Sequence, residues 1–185
     1  MKKLILILLF VFSVPIYAGF DMDNGFRYFE SSKNLVYESV AAFTNNKKID
    51  NRVVSNIAII DLKSNDITYL FDSKFEENVA GLYFENSFLV NQKQIEFNIR
   101  SDGDSYYIRN NRNIQARPIK DKLCILTYSP ITKKYSLWFC TKLGQDLKRM
   151  KSFNKDTDWW IDVRNSKIYF ISQIQNKIQC KSIEW

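Results

Sequence analysis

The chain has 185 residues and a mass of 21.9 kDa, with 45% hydrophobic and 25% charged residues but only 5 Gly, 3 Pro and 3 Cys. That composition fits one globular domain and excludes collagen-like, disordered and disulfide-framework chains. A formal net charge of +7 is too mild to mark a nucleic-acid binder, and the absence of any His removes Ser-His-Asp and Cys-His nucleophile systems and His-containing zinc sites.

The N-terminus predicts export. Lys2 and Lys3 precede an apolar run from Leu4 to Val14, and Val14-Pro15-Ile16-Tyr17-Ala18 ends on a small residue suited to signal-peptidase cleavage. A signal peptide is expected over 1–18 and a single domain over 19–185. The apolar run is shorter than the roughly 20 residues of a membrane-spanning helix, so no span is expected after cleavage. No Cys follows Ala18 to accept a lipid. In a Gram-negative cell such a product is periplasmic. Cleavage removes the two lysines and no acid, leaving a net charge of about +5.

From Val53 onward the apolar residues recur with a period close to two, and β-branched and aromatic residues abound. Strands are expected at Val53–Leu62, Ile67–Phe71, Val79–Phe84, Phe88–Val90, Ile95–Ile99, Tyr106–Arg109, Leu123–Tyr128, Tyr135–Thr141, Trp159–Val163, Lys167–Gln173 and Lys177–Trp185. Polar turns separate them, among them Lys63-Ser64-Asn65-Asp66, Ser101-Asp102-Gly103-Asp104, Leu143-Gly144-Gln145-Asp146 and Gln175-Asn176. Helix competes with strand only at Leu35–Phe43, where Tyr37, Val40 and Ala41 form a stripe at helical spacing. The pattern predicts an all-β domain of antiparallel sheets.

Two stretches have the layout of successive strands in one small sheet: Ile57–Leu62 with Ile67–Phe71, and Leu123–Tyr128 with Tyr135–Phe139, the Leu143–Asp146 turn and Leu147–Met150. The second resembles the blade repeat of TolB-type β-propellers, in which a Trp-containing strand leads through a Gly and Asp turn to the next strand. Trp159–Val163, Lys167–Ile171 and Ile178–Ile183 read as another such sheet. The resemblance implies a small or incomplete β-propeller-like fold of at most four blades, at about 40 to 45 residues each. A twisted β-sandwich is the alternative.

The oxidising compartment makes a disulfide plausible among Cys124, Cys140 and Cys180. Cys124 and Cys140 flank one hairpin; they face each other if the turn centres on Thr132 and lie on opposite faces if the register shifts by one. Without His or another base beside them, none reads as a nucleophile.

No phosphate loop, dinucleotide fingerprint, Gly-x-Ser-x-Gly elbow or Cys-x-x-Cys occurs, and no cofactor or metal site is expected. Asp21-x-Asp23-Asn24-Gly25 and Asp102-Gly103-Asp104 lack the closing Glu of a calcium loop and read as turns. A carboxylate glycan hydrolase could draw on Glu38, Asp61, Glu85 or Glu96, but nothing in the sequence pairs two of them across a cleft. The chain is therefore not expected to be an enzyme.

What stands out is aromatic and basic surface. The chain holds Trp138, Trp159, Trp160 and Trp185 with 10 Tyr and 14 Phe, and Arg100–Lys122 carries six basic residues against three acidic ones. Aromatic and Arg side chains dominate binding hot spots, although filled sheets and solvated loops account for many of them. The expected partner surface comprises Tyr106, Tyr107, Arg109, Arg112, Arg117, Trp159 and Trp160, facing an acidic protein rather than nucleic acid. Two exported binding roles fit: an immunity protein that occludes a toxic hydrolase, and an envelope scaffold in the manner of TolB-like propellers.

Overall fold

A computed structural model describes residues 25–43, 52–89, 94–98 and 107–185. The expected signal peptide, Tyr106, the Asp102-Gly103-Asp104 turn and residues 21–24 of the first Asp-rich turn lie outside the described residues. Among the described residues thirteen strands form three sheets: β1 (Arg27–Glu30), β2 (Leu35–Phe43), β3 (Arg52–Asp61), β4 (Ile67–Tyr69), β5 (Asn78–Leu89), β6 (Gln94–Phe97), β7 (Ile108–Arg109), β8 (Leu123–Ser129), β9 (Lys134–Cys140), β10 (Lys148–Asn154), β11 (Asp158–Asp162), β12 (Lys167–Ile174) and β13 (Lys177–Glu184). The N-terminal sheet is the meander β1-β2-β3-β4, the middle sheet runs β10-β9-β8-β5-β6, and the C-terminal sheet runs β13-β12-β11-β7. Neighbours are antiparallel except β7 and β11. Among the described residues every regular element is a strand and no sheet closes into a barrel; the fold is all-β, as expected. Among the described residues no helix is long and apolar enough to cross a membrane.

Leu35–Phe43, where helix competed, is a strand. Leu35 and Tyr37 point inward and are fully buried, while Val36 and Glu38 alternate outward, and β1 and β3 pair along its two edges. The two short candidates within 79–90 join into one long strand, β5. Register shifts between Val79 and Gly81 and between Glu85 and Ser87 interrupt its period and explain why it reads as two pieces. The turn at Gln175-Asn176 has positive φ at both residues (47° and 62°), the geometry of a tight two-residue hairpin.

The middle sheet is buried on both faces. Along β8, Leu123 and Ile125 join one core while Cys124 and Leu126 join the other; along β9, Cys140 and the partly buried Trp138 face the first core, and Leu137 and Phe139 the second. The first core lies against the N-terminal sheet through Leu35, Tyr37, Ile57 and Ile59. The second lies against the C-terminal sheet through Trp159, Ile161, Ile168, Phe170 and Trp185. The molecule is thus a stack of three sheets, with a core on each side of the middle one.

This register removes the expected disulfide. Cys124 pairs with Phe139, and Leu123 with Cys140, so the two cysteines sit one position out of step and enter opposite cores. Cys180 lies exposed on β13, and all three thiols are free.

Candidate functional site: the outer face of the C-terminal sheet

Strand alternation sends Trp159 and Trp160 to opposite faces of β11. Trp159, 5% exposed, packs inward and stacks on Tyr107 with ring centroids 4.8 Å apart, with Tyr83 edge-on at 5.5 Å. These rings, with Ala80, Leu126, Tyr135 and Phe153, line a cleft of about 410 Å³ rimmed by Lys155, Thr157 and Asp158.

Trp160 faces outward, paired across the strands with Tyr169 and stacked on its ring at 5.4 Å. One register step away, Arg109 pairs with Asp162 on the same face. Asp162 is buried and accepts hydrogen bonds from Asn110 Nδ2 (2.9 Å), the Asn165 backbone N–H (3.0 Å) and Asn165 Nδ2 (2.9 Å), which hold the two loops at this end of β11. Arg164 donates to the Arg112 carbonyl (3.3 Å), and the Val163 N–H donates to the Arg109 carbonyl (3.0 Å). The backbones of exposed Arg109, Arg112 and Arg164 therefore converge beside the Trp160–Tyr169 pair.

Of the residues singled out in the sequence, the structure brings Arg109, Arg112 and Trp160 to this end of the outer face. It places Tyr107 and Trp159 in the inner cleft. Arg117 serves elsewhere: its guanidinium forks onto fully buried Glu85, Nη1 to Oε2 at 2.8 Å and Nη2 to Oε1 at 2.6 Å. Glu85 also accepts the Lys120 N–H (2.8 Å) and the Trp185 indole N–H (3.0 Å). Burial pushes its carboxyl up, but these donors outweigh burial and hold it below the ordinary value. Lys120 lies in the same group, its ammonium on the Trp185 carbonyl; burial and then Arg117 bring it down to about 8.

The acidic candidates are dispersed. Glu38 is ion-paired with Arg27, Asp61 caps its own turn through the Lys63 N–H (2.8 Å), Glu85 is closed off by Arg117, and Glu96 lies half-buried on β6.

A second exposed surface escaped the sequence reading. On the outer face of the N-terminal sheet, Phe29, Val36, Ile60 and Ile67 are successive cross-strand partners and make an apolar row over all four strands. Phe29 is 51% exposed, Ile67 57%, and Tyr69 in the next row 61%. The alternation in β3 and β4 carried this signal, but either face of an isolated amphipathic strand can be read as the inner one.

Comparison of the chain with protein-family models, with curated proteins and with solved structures finds no match.

Proposed function

We propose that the chain is an exported, periplasmic protein-binding module, an immunity protein that docks on a toxic hydrolase and occludes its active site. The observation that carries the reading is the outward Trp160–Tyr169 pair flanked by Arg109, Arg112 and Arg164. A stacked aromatic pair supplies rigid apolar area at little entropic cost, and an arginine rim selects an acidic surface. A partner rich in Asp and Glu around an apolar pocket would complete it.

The test is a tagged pull-down of the mature protein from a periplasmic fraction at low and high salt, followed by assay of the captured partner. One stoichiometric partner whose hydrolase activity is blocked supports the proposal. Trp160→Ala and Arg112→Glu, both at the surface, should then each weaken capture about tenfold or more with the fold intact. A partner bound equally well by both variants would remove this face from the interface, and a captured hydrolase that stays fully active would remove the inhibitory role.

An envelope scaffold resembling TolB-like propellers is the second reading. It is favoured by the apolar row on the outer face of the N-terminal sheet, which faces away from the Trp160 surface on the far side of the stack. Two separated apolar surfaces suit two partners at once. Recovery of several envelope proteins in place of one hydrolase, with Phe29→Ser and Trp160→Ala losing different ones, would establish the scaffold role over the immunity role.

A further inference from the structure

The β12–β13 hairpin reaches beyond the part of the C-terminal sheet that packs on the middle sheet. Along β12 the inward residues pass from buried Ile168 and Phe170 to half-buried Ser172 and then to exposed Ile174. Their β13 partners, Lys181 opposite Phe170, Gln179 opposite Ser172 and Lys177 opposite Ile174, are all exposed. The inner face of the β12–β13 hairpin therefore overhangs the edge of the middle sheet.

That edge is β10, which pairs only with β9 among the described residues. Its first half is irregular, with a register shift between Arg149 and Lys151, a common way of guarding an edge against pairing. Lys151–Asn154 resumes regular register with Leu137, Ser136, Tyr135 and Lys134. Between this regular stretch and the overhanging hairpin runs a groove of about 290 Å³. It adjoins the aromatic cleft, with which it shares Phe153 and Thr157.

The groove is cationic. Lys134, Lys151 and Lys181 line it against Asp156 alone, and among the described residues none of the three forms an ion pair. The Lys151 ammonium lies over the Phe170 ring, 5.0 Å from its centroid.

We propose that this groove receives an extended acidic segment of a partner protein, which adds to β10 as a sixth strand of the middle sheet. Backbone groups along Lys151–Asn154 supply the ladder, alternate acidic side chains meet Lys151 and Lys181, and the intervening side chains turn outward. The lysines choose among occupants: a second copy would bring its own basic β10 or β13 against them, whereas a strand rich in Glu or Asp neutralises them. This surface is separate from the Trp160 face and stands whether or not that face binds a toxin.

The probe is a synthetic peptide alternating Val and Glu over about eight residues, the usual length of a strand, labelled at one end. It is titrated onto the full chain at physiological salt beside three controls: a scrambled peptide of equal composition, a Val–Lys peptide, and a version N-methylated on the ladder-facing amides. We expect saturable binding of the alternating acidic peptide alone, with slowed hydrogen exchange confined to Lys151–Asn154. Lys181→Glu, an exposed substitution on β13, should weaken it about tenfold, and Lys151→Glu should do likewise with an unchanged circular dichroism spectrum. Equal binding of the scrambled or N-methylated peptide would overturn the strand geometry. Indifference to Lys181→Glu, absence of binding, or a dimer in solution that protects Lys151–Asn154 without peptide would overturn the proposal itself.

Discussion

Glu30 and Lys142 are the most deeply buried ion pair among the described residues, and their surroundings show what holds them there. The Glu30 carboxylate accepts Lys142 Nζ at 2.7 Å, the Lys33 N–H at 2.7 Å and both the N–H and the hydroxyl of Ser32. Lys142 Nζ also donates to the Glu85 carbonyl at 2.6 Å, and the Lys142 carbonyl accepts the buried Tyr37 hydroxyl at 3.0 Å. A buried pair contributes little net stability against an apolar replacement, but loss of one member strands the other charge. Lys142→Met alone should therefore cost about 3–5 kcal/mol, and Glu30→Leu combined with Lys142→Met should recover much of that, read as urea midpoints at neutral pH. A single variant as stable as the parent would refute the pairing. Burial pushes Glu30 up, yet Lys142, Ser32 and Lys33 outweigh it and hold it below the ordinary carboxylate value, as the donors around Glu85 do there. Both groups therefore add stability above the unfolded value of about 4.3, and it is lost as pH falls through their lower folded values. The double variant should lose less stability than the parent on acidification from pH 5 to pH 3.

At the scale of elements, the β8–β9 register decides the cysteine chemistry. Cys124 and Cys140 enter different cores, where burial pushes both thiols up, Cys140 to about 12, while Cys180 lies open on the edge strand β13. A thiol-reactive chromophore should titrate one group in the native protein and three after denaturation, with Cys180→Ser abolishing the native signal; two reactive thiols before unfolding would place the hairpin in another register. The same hairpin shows where the sequence is informative. Period-two alternation identified β8, β9, β11, β12 and β13 and put Trp159 and Trp160 on opposite faces. Alternation did not find β10, whose sequence Lys148-Arg149-Met150-Lys151-Ser152-Phe153-Asn154 buries only Phe153 and carries the bulge, and only the blade layout set a strand at Leu147–Met150; β1, four residues long, was missed altogether. The sequence reading also gave Arg117 to the surface, because the Glu85 partner lies 32 residues away on β5 and such a pairing leaves no local pattern. Of the candidate site, the Trp160 and Arg109 face was legible from alternation and charge, whereas the β10 groove depends on how the β12–β13 hairpin lies over β10, which no single segment encodes.

Across the whole molecule, the two cores share one set of strands, and this bears on how the stack unfolds. Leu123 and Ile125 of β8 pack in one core and Cys124 and Leu126 in the other, so parting β8 from β5 or β9 would disrupt both cores at once. The buried polar cluster adds a second tie. It joins the end of β1 through Glu30, β5 through Glu85, the β9–β10 turn through Lys142, and the residue following β13 through Trp185. Local opening of either outer sheet would expose a buried charge as well as an apolar face, so the described sheets should unfold as one unit. Trp138 reports on the N-terminal core, packed edge-on against Phe71 and Phe75, while Trp159 and Trp185 report on the other. Leu35→Ala and Ile168→Ala each remove a fully buried side chain from a different core and should each cost about 2–5 kcal/mol. In urea, both variants should keep one transition that coincides by circular dichroism and by tryptophan emission, and Trp138→Phe in either background should leave its midpoint where emission from the remaining tryptophans follows it. If Leu35→Ala instead released the Trp138 signal at lower urea than the rest, the N-terminal sheet would be an independently melting layer and its exposed apolar row a surface that detaches.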